Sequence, residues 1–150
     1  MLFRSIVRGF LTSAPRTSWD DRWLTFYTPT EPGRTKIFIV PVHDGGETPQ
    51  SEWIEATDGS AFDVLPEFSP NGNLIYFQSQ RDGSRCLWAL RLDPATKRPA
   101  GAAFPVYHFH SARQSPMNVL LGTAGNAVAK DKVVYTSLER TGNIWMLKLD

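Results

Sequence analysis

PEFSPNGNLIYFQSQRDG, residues 66–83, decides the fold of this chain. Ser69-Pro70-Asn71-Gly72 has the composition of a tight turn: Pro presets φ, Asn bonds its own backbone, and Gly tolerates positive φ. An alternating strand follows, LIYFQS, and then a second polar turn, Arg81-Asp82-Gly83-Ser84. A hairpin of this kind is either a single local feature or one copy of a repeat, and the two possibilities imply different folds.

The pattern recurs on both sides. Residues 23–28 read WLTFYT and residues 132–137 read KVVYTS, which sets Phe26 and Tyr135 opposite Phe77 at offsets of 51 and 58 residues. Ser18-Trp19-Asp20-Asp21 precedes the first strand as Ser69–Gly72 precedes the second. The third copy has a degenerate turn, with Gly125-Asn126 and then Asp131 near that place. A polar turn follows each strand: Glu31-Pro32-Gly33-Arg34, Arg81–Ser84 and Arg140-Thr141-Gly142-Asn143. Then comes a second strand, at residues 36–42 (KIFIVPV), 86–92 (CLWALRL) and 143–149 (NIWMLKL), with Phe38, Trp88 and Trp145 in matching positions. The matching predicts that Phe26, Phe77 and Tyr135 share one buried position, and that Phe38, Trp88 and Trp145 share another, packing between units.

Residues 53–56 and 105–109 read as outer strands, residues 61–68 as an inner strand, and residues 118–121 as its counterpart in the third copy. Each unit is thus a four-stranded antiparallel sheet. No window sustains the i, i+3, i+4 apolar spacing of a helix, so almost none is expected. CLWALRL and KIFIVPV barely alternate. Strands apolar on both sides belong to a sheet covered on both faces, whereas a sheet wetted on one side would alternate. Repeated four-stranded sheets that cover one another describe the blades of a β-propeller.

Composition agrees with a globular all-β chain: 150 residues, 41% hydrophobic, 12% aromatic, with eleven Pro and eleven Gly for turns. The net charge of +1 gives no footprint for nucleic acid or an anionic membrane. No apolar run reaches the length of a membrane span. The single cysteine, Cys86, has no intrachain disulfide partner and reads as a small buried hydrophobe within a strand.

Residues 68–93, FSPNGNLIYFQSQRDGSRCLWALRLD, resemble the WD40-like repeat of TolB-type β-propellers, with the first copy replacing Pro-Asn-Gly by Trp19-Asp20-Asp21 and the third keeping mainly VVYTS and TGNIWMLKLD. That resemblance covers most of the chain and is specific for fold rather than function. It implies about two and three-quarter blades of a six-bladed ring, in units at about residues 13–57, 58–112 and 113–150, from the C-terminal part of a larger bacterial propeller protein. Residues 1–12 then read as a remnant of an upstream region. MLFRS at residues 1–5 is encoded in one reverse translation by the end of a common sequencing adapter, and is expected to be an assembly scar.

By resemblance the segment is non-catalytic and serves protein or ligand recognition, in a sensor or scaffold domain of a larger envelope-associated protein. Some similar proteins carry a serine/threonine kinase and a membrane anchor ahead of the propeller; this chain has none of the kinase motifs. The resemblance places such domains in the periplasm or otherwise outside the cytoplasm. An alternative is the substrate-gating propeller of a serine peptidase similar to prolyl oligopeptidase. No nucleophile context, catalytic set or cofactor motif is recognisable. Partners are expected to be a protein or small ligand and the missing blades of the ring, with no nucleic acid and no direct membrane insertion.

Four turn residues are candidates for facing a partner: Arg81, Asp82, Glu139 and Arg140, since loops on a rigid scaffold often carry function. His108 and His110 in YHFH share a face, a spacing that suits a metal ion; with no third ligand recognisable nearby, they read as polar residues of an edge strand. Asp20, Asp21, Asn71 and Asp131 read as Asx turns rather than Ca2+ ligands. A partial array leaves its end faces uncovered. Phe26, Ile37 and Phe38 are therefore expected on an exposed face, the strand at residues 143–149 at a free edge, and the chain by itself is expected to associate.

Overall fold

The Ser69–Gly72 turn closes as its composition requires. The Ser69 N–H donates to the Leu74 carbonyl at 2.9 Å, and the Leu74 N–H returns to Ser69 Oγ at 2.9 Å. Asn71 Oδ1 accepts from the Asn73 N–H and the Ser69 hydroxyl at 3.1 and 2.8 Å, and Gly72 takes φ of +66°. Fifty-one residues earlier the same bonds recur. Ser18 exchanges them with Trp23 at 2.8 and 3.0 Å, Asp20 Oδ1 accepts from Ser18 and Arg22, and Asp21 sits at φ of +56° where Gly72 does.

In this computed structural model, residues 6–7, 12–44, 46–110, 114–116, 125–139, 141–142, 146 and 148 are described. The described residues form twelve strands: β1 (Ser13–Thr17), β2 (Trp23–Glu31), β3 (Arg34–Pro41), β4 (Ile54–Glu55), β5 (Asp63–Phe68), β6 (Leu74–Ser79), β7 (Cys86–Arg91), β8 (Phe104–Tyr107), β9 (Gln114–Ser115), β10 (Asn126–Val128), β11 (Val133–Tyr135) and β12 (Leu138–Glu139). β1–β4 form one four-stranded antiparallel sheet and β5–β8 another, each in chain order; β10 pairs with β11 and β9 with β12. Among the described residues the helical content is 3-10 only, at Gln50–Glu52 and at Pro116 after β9, and no helix is long and apolar enough to cross a membrane.

The two large sheets share a register. Phe26 pairs with Phe38 as Phe77 pairs with Trp88. Ser13 pairs with Tyr27 as Val64 pairs with Gln78, and a bulge follows each. At the bulges Ala14 and Leu65, each before a proline, hold φ of +48° and +56°. The sequence pattern marks no inner strand for the first unit. β1 supplies it, and the Pro15–Pro66 match at the same offset was its available signal.

Burial explains why β7 scarcely alternates. Val64, Phe68, Ile75, Phe77, Leu90 and Leu92 pack against Tyr27, Ile37 and Ile39 of the first sheet. On the opposite side Leu87 and Ala89 are buried, and Leu87 with Cys86 and Phe109 forms a smaller cluster that reaches Val133. Full burial of each large side chain contributes about 1.5–3 kcal/mol. Polar links fix the stacking. Asn126 donates to the Leu65 carbonyl freed at the bulge, at 3.0 Å, and accepts from Gln78 Nε2 at 2.9 Å. The Thr35 hydroxyl donates to the Asp63 carbonyl.

Several expectations are corrected. Phe26 takes the buried position that its match with Phe77 predicts, and neither it nor Ile37 lies on an exposed end face: Ile37 lies between the sheets, while Trp53 meets the Phe26 and Phe38 rings edge-on at 5.2 and 5.4 Å, with Ile6 and Val7 beside them. The exposed large apolar side chains are instead Trp19 in the β1–β2 turn, Val106 and Tyr107 in β8, and Val134, Tyr135, Leu138 and Met146 in the third unit. Tyr135 thus keeps the strand position of Phe77 but not its burial. Asn126, read as part of a turn, lies in β10, and the turn is formed by residues 129–132. The strand read at residues 118–121 lies outside the described residues, as does most of the one read at 143–149, with Trp145; its two described members, Met146 and Lys148, are exposed and assigned to no strand.

Two predictions follow from the paired turns. A Cβ on Gly72 would meet Lys97 Nζ at 3.3 Å, where that buried ammonium donates to the Gly72 carbonyl at 2.9 Å. Left-handed backbone costs a residue with a Cβ about 1–2 kcal/mol, so Gly72→Val is expected to lower Tm by several degrees in a thermal melt. In the other turn the Ser18 hydroxyl, and then Arg22, hold the Asp20 carboxyl down from 3.8 to about 2. A depressed carboxylate stabilises the fold above its unfolded pKa and loses that contribution as pH falls through its folded value. The wild type should therefore lose Tm between pH 4 and 2 more steeply than Asp20→Asn, which copies Asn71.

Candidate functional site at the β6–β7 turn

The turn between β6 and β7 carries Arg81 and Asp82, and the structure sends them in opposite directions. Arg81 folds inward. Its Nη2 donates to both carboxylate oxygens of Asp63 at 3.0 and 3.1 Å, and its guanidinium lies over the Phe77 and Trp88 rings at 5.2 and 5.0 Å. Asp63 is fully buried, so this arginine neutralises a charge that could not otherwise stay there. The Ser79 hydroxyl accepts from Arg81 Nε and completes the fork.

Asp82 points outward, toward the segment that leaves β8. The Leu87–Tyr107 pairing of β7 with β8 carries His108 and His110 to the same end of the sheet. Phe109, between them, is buried against Cys86 and Leu87, which turns both imidazoles to the other side. Asp82 Oδ2 bonds His108 Nδ1 at 2.8 Å and His110 Nε2 at 2.9 Å, with the rings 4.9 Å apart. The Phe109 N–H donates to Cys86 Sγ at 3.2 Å, and the Ser84 N–H to Asp82 Oδ1 at 3.4 Å. Potential ligand atoms of Asp82, Cys86, His108 and His110 all lie within 4.8 Å of one another. The histidines thus belong to a four-residue cluster rather than standing as isolated edge-strand residues, and they lie just past β8, not within it.

Charge in this cluster follows from its surroundings. Burial works to raise the Asp82 carboxyl, but hydrogen bonds from His110, Ser84 and His108 hold it below the usual range. Burial, with the nearby Asp82 carboxylate adding to it, pushes the Cys86 thiol up. Such a thiol is not activated as a free nucleophile.

The other candidates separate. Glu139 is exposed in β12, opposite Gln114, and Arg140 lies outside the described residues. Asp20 and Asn71 are engaged within their own turns, and Asp131 pairs with Lys132 at 3.4 Å. A second feature had no sequence signal, because it exists only between units. An open cleft of about 800 Å3 runs between the Ser69–Asn71 turn and the β10–β11 turn, walled by Trp19, Leu74, Tyr76, Val106 and Val133, with Lys130, Asp131 and Lys132 at its rim.

No protein-family model matches the chain, and no curated protein matches it in sequence.

Removing one partner of the Asp63–Arg81 pair leaves the other charge uncompensated, at about 3 kcal/mol or more where the pair is buried. Arg81→Met is expected to lower the midpoint of urea unfolding sharply, whereas Asp82→Asn on the same turn should shift it little.

Proposed function

We propose that the chain forms consecutive blades of a β-propeller and serves protein or ligand recognition without catalysis, as a sensor or scaffold part of a larger envelope-associated bacterial protein. The support for blades is the stacking of two four-stranded sheets that share a register at an offset of 51 residues and repeat the same turn bonds. Closure as a six-bladed ring and an extracytoplasmic location come from the resemblance to TolB-type repeats.

The observation that carries recognition is the cleft of about 800 Å3 between the second sheet and the β10–β11 turn. Its walls are apolar, its rim is charged, and Trp19 stands 62% exposed at its edge. Exposed aromatics of this kind supply large contact area at low entropic cost and are frequent binding hot spots. Rigid sheets hold the walls, so a bound group meets a surface that needs little ordering.

The natural full-length protein tests this reading. Partners captured from its source and measured in purified form should lose affinity by at least about tenfold in Trp19→Ala and Tyr76→Ala, with Tm of the exposed Trp19 variant unchanged. Undiminished binding in both variants would overturn the cleft as the recognition surface. Labelling of the full-length protein by a fluorophosphonate would replace this reading with that of a peptidase gate.

A further inference from the structure

We infer that Asp82, Cys86, His108 and His110 form a binding site for a divalent transition-metal ion, with Zn2+ the best match to the donor set. The inference is independent of whether the sheets close into a ring.

Geometry makes the first argument. Two imidazole nitrogens, from residues 26 and 28 positions away along the chain, converge on one carboxylate oxygen at 2.8 and 2.9 Å. The Cys86 sulfur completes a group of four donors within 4.8 Å. Tetrahedral zinc, with bonds of about 2.0–2.3 Å, spaces its donors about 3.3–3.7 Å apart. Opening the Asp–His contacts and bringing those three groups closer to the sulfur by less than about 1.5 Å reaches that spacing. Asp82, His108 and His110 can supply the movement, with side chains 21%, 46% and 53% exposed, while Cys86 stays anchored in β7. An ion therefore has access from solvent and needs no rearrangement of the strands.

Donor chemistry makes the second. One thiolate, two imidazoles and one carboxylate form a borderline-soft set that favours Zn2+ and its neighbours over the all-oxygen cations Mg2+ and Ca2+. Supporting hydrogen bonds are already present. The Phe109 N–H on Cys86 Sγ stabilises a thiolate, and the Ser84 N–H on Asp82 Oδ1 orients the carboxylate with its other oxygen toward the histidines. The Trp88 ring meets His108 edge-on at 5.9 Å and limits its swing.

Four protein ligands leave zinc no open position, which is the coordination of a structural site rather than a hydrolytic one. The ion would tie the β6–β7 turn to the segment leaving β8, at the end of the sheet where the β7–β8 register already shifts. Metal binding and folding of this corner would then be coupled.

Co2+ and Zn2+ alone are sufficient probes. The chelator-treated, reduced full chain should take up one Co2+, giving the visible bands of tetrahedral cobalt and a near-ultraviolet thiolate charge-transfer band. Zn2+ should bleach both and raise Tm in proportion to its occupancy. Cys86→Ser should remove the charge-transfer band. His110→Gln changes only an exposed side chain and should weaken binding by at least about tenfold, while His43→Ala, at a remote His–Glu pair, should bind as the wild type does. The proposal is overturned if no tetrahedral cobalt spectrum develops, if the charge-transfer band survives Cys86→Ser, or if His110→Gln binds with unchanged affinity.

Discussion

The second sheet buries Ile75, Phe77 and Leu90 on one side and Leu87 with Ala89 on the other, and neither side can be left in water. That two-sided apolarity imposes a neighbour on each face. The first sheet supplies one, through Tyr27, Ile37 and Ile39, and the third unit reaches the other, through Val133. Stacking brings polar backbone together as well, and each junction satisfies it. Asn126 takes the Leu65 carbonyl released by the bulge, and Thr35 takes the Asp63 carbonyl. Buried polar groups without such partners would offset much of what the apolar contact contributes.

The same stacking places the candidate site. Asp63 begins β5 between the sheets, and its buried carboxylate draws Arg81 back over Phe77 and Trp88. With Arg81 committed inward, Asp82 is the residue that the turn presents outward. Phe109 does the equivalent work at the end of β8, since its burial sets the imidazoles on either side of it toward Asp82. Two buried groups, one acidic and one aromatic, thereby aim three exposed ligands at one point. The cleft arises differently. It is the space left where turns of the three units come together, so its walls come from all of them.

Much of the fold was legible because its signals are local. Ser, Pro or Trp, Asn or Asp, and Gly or Asp in order specify a turn whose bonds lie within six residues, and the offset of 51 between copies follows by inspection. β6 was read to the residue, since both of its ends are marked by turns. β1 was not, because SAPRT has no apolar alternation and becomes a strand through its pairing with β2. The repeat match places Phe26 at a buried position, but the argument from uncovered end faces exposes it, because the cover is not local: Trp53 lies across the sheet from the ring, and Ile6 and Val7 come from near the start of the chain.

By itself the sequence determined the all-β class, the hairpin register and the paired turns, because these depend on backbone propensities and on residues a few positions apart. Tertiary structure alone decided which members of the β6–β7 turn face inward. It also decided that Asp82 and Cys86 stand beside two histidines more than twenty residues further on. The reason is physical: side-chain spacing along a strand fixes which residues share a face. Which residues of distant strands meet is fixed by how β7 and β8 pair and by which side chains the neighbouring sheet forces into burial.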